Sequence, residues 1–190
     1  MKDEYQDLPL GELDEAWALA LAEAERRART AGRSDIATYL ALRTSNDLLR
    51  KTGRDWLHGM FNSLAAQANR AGAGIQISTE EGHRFKVGNS TMVGTRLTLA
   101  NGVRTLFVEV GWPRTPSDGF IRGGGLACAN VKHLGIKSAD EQLRLVVDPG
   151  GLPRWKSQSD HAQHHEIHEA NLRHHLAVLL NEPQKSSRRS

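Results

Sequence analysis

One stretch of the sequence, residues 95–110, decides the fold, and it reads TRLTLANGVRTLFVEV. Apolar and polar residues alternate on both sides of Asn101-Gly102, with the period of two that a half-buried β-strand shows. An Asn-Gly pair between two such runs is typical of a β-hairpin with a type I′ turn. The stretch therefore predicts two antiparallel strands that pair with each other.

Further strands are predicted on both sides of this hairpin, because the same alternation recurs in shorter runs. No connection between these runs leaves room for a crossover helix, so we expect an antiparallel sheet of five or six strands. The predicted elements are alternating runs at 75–77 and 85–87 joined by a turn at Glu81-Gly82, strands over 126–133 and 142–147, and a short strand through Trp155.

Helical periodicity is found before and after the predicted sheet and not between its strands. Leu10, Leu13, Trp17 and Leu21 recur at spacings of three and four, the pattern of an amphipathic helix that Gly32 would end. This segregation indicates an α+β fold in which N-terminal helices precede the sheet and a C-terminal helix packs on it. The other predicted helices span residues 35–51, 54–71 and 160–181, with Thr52-Gly53 separating the first two.

The chain of 190 residues is expected to form one domain with an appendage. We predict a helical extension over residues 1–53, a compact α+β domain over 54–181, and a disordered basic tail over 182–190. The single cysteine, Cys128, is predicted to be a buried thiol, and it excludes an internal disulfide or a cysteine-based zinc finger. A cytoplasmic protein is expected, since no run of 18 apolar residues and no secretory signal is present.

Charge is distributed unevenly along the N-terminal part of the chain. Residues 1–25 carry one lysine and eight carboxylates, whereas residues 26–54 carry eight basic and two acidic side chains. Arginines in rows suit phosphate oxygens, so this region predicts contact with nucleic acid or with an acidic protein surface. The alternative is the solvated face of helices that the acidic residues neutralise. The candidate contact residues are Arg26, Arg29, Arg33, Arg43, Arg50 and Arg54.

A second candidate site is the histidine-rich segment before the C-terminus. On a helix, His161, His165 and His168 would lie side by side, and their ring nitrogens could bind a divalent metal such as zinc. The order of residues is not HExxH, so a metalloprotease mechanism is not implied. The alternative is a polar helix end packed at the sheet edge, in which case no cofactor is expected.

The third candidate is the long loop over residues 111–125, because long loops between strands often carry function. Its candidate residues are Trp112, Arg114, Asp118 and Arg122. The glycines at 123–125 would let the backbone approach a phosphate, but they lead into a strand and match no P-loop. The alternative is an irregular loop whose glycines permit steep backbone angles.

Three hypotheses for function follow from these features. The first is a non-enzymatic accessory or adaptor protein of a larger intracellular assembly, which contacts nucleic-acid phosphates through its arginine-bearing helices. The second is a protein–protein interaction module or homo-oligomer that uses the apolar stripe around Trp17. The third is a metal-dependent enzyme centred on the histidines. The charge asymmetry favours the first.

Overall fold

A computed structural model describes residues 10–121, 123–158 and 165–181, with side chains from residue 15 onward except that of Pro116. Two N-terminal helices precede a sheet of six strands, and a third helix follows it. This arrangement confirms the α+β prediction. The helices are α1 (Leu10–Thr30), α2 (Ser34–Arg70) and α3 (Glu169–Leu180).

Helices α1 and α2 end in the same way, with a glycine in the left-handed region. Gly32 has φ +69° after α1, and Gly72 has φ +92° after α2. In each case the next residue donates its backbone N–H to a carbonyl five residues earlier, Arg33 to Ala28 and Ala73 to Ala68. These are Schellman motifs, which satisfy carbonyls that a helix end leaves without partners. The stop predicted at Gly32 is confirmed, and α2 ends at Arg70, one residue before the end predicted for that segment.

The predicted break at Thr52-Gly53 is wrong, since α2 continues through both residues. Glycine costs about 1 kcal/mol in a helix interior, but packing can offset that cost. A Cβ atom on Gly53 would lie 2.6 Å from Leu145 Cδ2, so the helix lies against the sheet here. The Gly53 carbonyl also accepts a hydrogen bond of 2.9 Å from Trp155 Nε1. Tertiary contacts therefore hold together what the local sequence would separate.

The six strands form an antiparallel meander in which each strand pairs with its neighbours in sequence. Six strands agree with the predicted five to six. They are β1 (Gln76–Val87), β2 (Ser90–Asn101), β3 (Arg104–Trp112), β4 (Ala127–His133), β5 (Glu141–Val147) and β6 (Pro153–Ser157).

Two predicted turns differ from the structure in detail. Glu81-Gly82 is a bulge within the single strand β1, where the register shifts between Glu81 and His83 and Gly82 has φ +74°. In the central hairpin, Asn101 pairs with Arg104, so the loop residues are Gly102 and Val103. Only the first of these has positive φ, which fits a type II′ turn better than type I′.

The core lies between one face of the sheet and two helical segments. Helix α2 contributes Leu57, Phe61 and Leu64 to it, all from the segment 54–71 that was predicted to be helical. Because side chains alternate along a strand, the intervening strand residues face the other way. The buried core residues of α3 and the sheet include Leu172, Leu176, Leu179, Leu97, Leu99, Leu106, Val108, Val110, Ala129, Val131, Leu143, Leu145 and Trp155.

The central hairpin also holds the ends of helices. Asn101 Nδ2 donates to the carbonyl of Ala73, just beyond α2, at 2.6 Å. Arg104 donates to the carbonyl of Val178 at 2.8 Å and to Asn181 Oδ1 at 2.7 Å, at the C-terminus of α3. A guanidinium at this end satisfies free carbonyls and complements the helix dipole. Both residues beside the turn therefore fix helices on the sheet.

The C-terminal helix is shorter than predicted. It begins at Glu169, whereas the prediction began at residue 160, and residues 159–164 lie outside the described part of the chain. The backbone before it pairs with β6 through a bridge between Lys156 and Glu166. Ile167 donates its N–H to the carbonyl of Trp155 at 2.8 Å. At residues 165–167, strand-like pairing therefore takes the place of the helix predicted there.

The chain divides into two compact units, residues 1–51 and 52–190. The first holds α1 and the beginning of α2, and the second holds the sheet with the rest of α2 and α3. That residues 1–53 serve as a separate extension stays a prediction, and the predicted tail over 182–190 lies outside the described residues. Within the described ranges, no helix combines the length and apolar character needed to cross a bilayer.

Candidate functional site

The sheet face opposite the core carries a polar cluster centred on Glu109 of β3. Its carboxylate is only 6% exposed and accepts hydrogen bonds from His83 Nε2 at 2.9 Å, Asn130 Nδ2 at 3.0 Å and Lys132 Nζ at 2.7 Å. Burial alone would raise the pKa of Glu109, but the hydrogen bonds from Lys132, Asn130 and His83 lower it overall. The carboxylate is therefore ionised, and both of its oxygens accept hydrogen bonds from neighbouring side chains, which suits a structural role.

Beside this cluster, the same face holds a pocket of about 260 Å³. Its walls come from the β1–β2 turn, from β2, from the long loop after β3, and from β4, β5 and β6. The sheet register brings these segments together, since Cys128 of β4 lies opposite Arg144 of β5, and Arg144 lies opposite Lys156 of β6. The lining residues are Val87, Gly88, Asn89, Ser90, Met92, Phe120, Ile121, Cys128, Gln142, Arg144 and Gln158.

Among the described residues that line this pocket, Arg144 is the one with a charged side chain. Its guanidinium makes two long hydrogen bonds, to the Gly123 carbonyl at 3.4 Å and to Gln158 Oε1 at 3.3 Å. Arg144 Nε and Gln158 Nε2 are buried and have no hydrogen-bond partner among the described groups. Buried donors without acceptors are costly, so the arrangement leaves hydrogen-bonding capacity unused at this pocket.

The glycine run of the long loop lies against Arg144. A Cβ atom on Gly123 would lie 2.3 Å from an Arg144 guanidinium nitrogen, and one on Gly125 would lie 2.6 Å from Arg144 Cγ. Gly123 and Gly124 both have φ +77°. The glycines thus let the loop backbone come close to another group, as the sequence predicted. In the structure this group is the side chain of Arg144.

The predicted loop residues are brought into a different contact. Trp112 is buried in the core, and the Arg114 guanidinium lies 4.1 Å from the centre of its ring. Asp118 accepts hydrogen bonds from the backbone N–H of Arg114 and Thr115, and forms an ion pair of 2.9 Å with Arg84. Arg122 lies outside the described residues. These contacts hold the loop on the sheet. Trp112, Arg114 and Asp118 are not among the described residues that line the pocket.

Cys128 lies on the pocket side of β4 and is buried, as predicted. Burial raises the pKa of its thiol to about 11, although the charge of Arg144 acts in the opposite direction. A thiol with such a pKa is protonated near neutral pH and is a poor nucleophile. Its place in the pocket is that of a small apolar side chain.

Among the predicted histidines, the structure describes His165 and His168, while His161 lies outside its ranges. Neither described residue is on a helix, because α3 begins at Glu169, so the helical spacing that suggested a metal site does not apply to them. Within the described ranges, no group of three or more His, Cys, Asp or Glu side chains has the geometry to hold a metal. Metal binding by these residues stays a prediction.

A different histidine cluster lies on the core side of the sheet, and the sequence did not predict it. His133 Nε2 lies 3.0 Å from His175 Nδ1, and His175 Nε2 lies 3.0 Å from Glu141 Oε2. Both rings are about 4% exposed and stack with centroids 5.3 Å apart. Since an ionised carboxylate only accepts, His175 Nε2 carries the proton toward Glu141.

The predicted arginine row is partly neutralised within its own helices. On α1, Glu23 pairs with Arg26 at 3.7 Å and also with Arg27, and Glu25 pairs with Arg29. On α2, the Arg43 guanidinium lies 4.8 Å from the Trp17 ring centre, and Arg50 and Arg54 pair with neighbouring aspartates. The α1 arginines are well exposed, whereas Arg50 and Arg54 have about a quarter of their side chains exposed.

Comparison of the chain with protein-family models, with curated proteins and with solved structures gave no match. The residues that sequence reasoning missed are Arg144, Gln158 and the pair His133 and His175. One local signal for the first of these exists, because Gln142 and Arg144 alternate with Leu143 and Leu145 and so must lie on the face opposite the core.

Proposed function

We propose that the protein is a non-enzymatic accessory or adaptor protein of a larger cytoplasmic assembly, which it joins through residues 15–51. The observation that carries this proposal is how little of that helical pair is buried. Among its described side chains, the buried apolar residues are Leu21, Ala28 and Ala37. Two helices must bury an apolar face against another surface to be stable, and three buried residues, two of them alanines, provide little of that burial.

Two of the exposed apolar side chains of this unit, Tyr39 and Leu42, lie in line with the partly buried Leu49 on one face of α2, and we call these three residues the α2 stripe. Their spacings of three and seven place them on one face of the helix. Tyr39 and Leu42 are each 60% exposed. Asn46 lies between them and Leu49 at the intervening position, so the stripe has the spacing with which helices pair in coiled coils. An amphipathic helix of a protein partner, or of a second copy, would fit this face.

Replacing the α2 stripe by charge is expected to abolish docking without unfolding the protein. In Tyr39→Glu/Leu42→Glu, both altered side chains are largely exposed, so the free energy of unfolding should change by less than about 1 kcal/mol. Sedimentation velocity and quantitative pull-downs would compare this variant with the wild type. We expect the variant to lose self-association, or to lose a partner that the wild type retains.

Leu48→Glu provides a matched control, because Leu48 is 65% exposed but lies on a different face of α2. It should behave as the wild type in both measurements. If the stripe variant and the control retain the same partners and the same sedimentation coefficient, the α2 stripe is not a docking surface and the proposal fails.

Contact with nucleic-acid phosphates remains a part of this proposal, carried by the arginines of the α1 C-terminus. The side chains of Arg26 and Arg29 are 76% and 68% exposed, and Arg33 is also exposed. Their pairs with glutamates are surface ion pairs, which contribute between 0 and about 1 kcal/mol and can be exchanged for phosphate contacts. The α2 arginines are less accessible and contribute less.

We expect Arg26→Ala/Arg29→Ala/Arg33→Ala to weaken binding of labelled DNA and RNA in fluorescence anisotropy, and to reduce the slope of log K against log salt by about 2 to 3. Arg50→Ala/Arg54→Ala, which removes the same type of charge from less exposed positions, should change the slope little. If no binding is seen at about 50 mM salt, nucleic acid is excluded as the partner, and a protein is the only partner that remains in the proposal.

A further inference from the structure

We propose that the pocket around Arg144 binds a small organic carboxylate with a hydrocarbon body. Nothing in the adaptor proposal uses this pocket, which lies on the sheet and not on the helices of residues 15–51. Three properties of the pocket favour such a ligand: the charge of its lining, the chemistry of its walls, and its volume.

The charge of the lining calls for an anion. Arg144 is the only charged residue among the eleven described residues that line the pocket, and none of these eleven is acidic. Among the described residues, no carboxylate lies within ion-pairing distance of Arg144, whereas Arg84, Arg96, Arg154 and Arg173 each have such a partner. A partly buried guanidinium that bonds only neutral oxygens is under-compensated, and an anionic ligand would supply the missing acceptor.

The hydrogen-bond geometry around this guanidinium supports the same conclusion. Both of its protein contacts are long, 3.3 and 3.4 Å, so neither Gln158 nor the Gly123 carbonyl occupies it at optimal distance. Gln158 Nε2 provides a second buried donor without a partner. The planar fork of an arginine matches the two oxygens of a carboxylate, which it binds in bidentate fashion.

The walls distinguish a carboxylate with a hydrocarbon body from inorganic phosphate. Val87, Met92, Phe120 and Ile121 present apolar surface to the pocket, and the Cys128 thiol is protonated. A volume of about 260 Å³ is below the range of drug-sized ligand sites, so the ligand must be small. A short-chain fatty acid or an aromatic acid of similar size has both the charged end and the apolar body that these walls require.

The test is a titration of the full chain with hexanoate, hexanamide and inorganic phosphate, followed by two-dimensional amide NMR spectra. We expect hexanoate to bind with shifts confined to the pocket, and hexanamide, which lacks the charge, to bind at least about tenfold more weakly. Arg144→Gln should lose hexanoate binding by a similar factor. The control Arg154→Gln, which removes an arginine that has its own carboxylate partners, should bind as the wild type.

A second variant keeps the proposal falsifiable if Arg144→Gln fails to fold. Phe120 is 71% exposed, so Phe120→Ala leaves the core intact and removes only an apolar wall. It should weaken hexanoate binding and leave the weak binding of acetate unchanged. The proposal is overturned if hexanamide or phosphate binds as tightly as hexanoate. It is also overturned if Arg144→Gln retains the wild-type affinity for hexanoate, or if no binding is seen at about 10 mM ligand.

Discussion

Gly94→Ala is expected to destabilise the protein by about 3 kcal/mol or more, one of the largest effects available to a single methyl group. Gly94 lies in β2 directly opposite Gly111 of β3. A Cβ atom on Gly94 would lie 2.0 Å from the Val110 carbonyl oxygen and 2.7 Å from Gly111 Cα. Both are backbone atoms, so only a shift of one strand against the other could relieve the overlap.

Urea denaturation of purified protein would measure this effect, with the same substitution at Gly59 as its control. Gly59 lies within helix α2, and a Cβ atom there would meet nothing within 4 Å. Gly59→Ala should therefore raise the free energy of unfolding by about 0.5–1 kcal/mol through helix propensity. Equal denaturation midpoints for Gly94→Ala and the wild type would show that β2 and β3 are not packed as described.

Acid is expected to destabilise the fold well above the pH at which carboxylates titrate. Burial, together with the neighbouring His175, lowers the pKa of His133 to about 4, against 6.5 in an unfolded chain. Between these values the unfolded state binds the proton more tightly than the folded state, so stability is present above pH 6.5 and is lost as the pH falls toward 4. For His133 the loss amounts to about 3 kcal/mol.

His58 acts in the same direction and over the same range, because burial and the charge of Arg54 lower its pKa to about 4. The lowered pKa values of Glu109 and Glu141 add a further loss, but only at lower pH, where carboxylates take up protons. The free energy of unfolding in urea at pH 7, 6, 5 and 4.5 would separate the two ranges.

His133→Gln identifies the contribution of one ring in this profile. A glutamine amide can replace the hydrogen bond to His175 Nδ1 and does not titrate. We expect the slope of stability against pH between 6.5 and 4.5 to decrease by about one proton. If His133→Gln has the same slope as the wild type, His133 is not kept neutral by the fold.

Most of the architecture could be predicted from the sequence, because strand positions follow from a local period of two and helix ends from glycines with positive φ. The errors share a physical cause. Thr52-Gly53 is a strong local break, yet contacts of Gly53 with Leu145 and Trp155 carry the helix through it. Around Glu166, pairing with Lys156 on β6 takes the place of the predicted helix. In both cases a tertiary contact overrides local preference.

The candidate pocket could not be predicted in the same way. Its described residues come from five separate segments, and no spacing in the sequence indicates that Arg144, Gln158 and Phe120 meet. Their convergence depends on the register of four strands and on the path of the loop. The arginine rows were predicted from composition, but which arginines are accessible depends on ion pairs within each helix.

The meander topology also determines where the conformational entropy of assembly is lost. Each strand pairs with the next, and the longest connection within the sheet is that between Trp112 and Ala127. The hydrogen bond from Trp155 to Gly53 instead joins residues 102 apart. Closing a flexible loop of that length costs about 2 kcal/mol more than closing the connection after β3. The sheet can therefore assemble from neighbouring segments at small entropic cost, and the larger cost falls on the docking of helix α2.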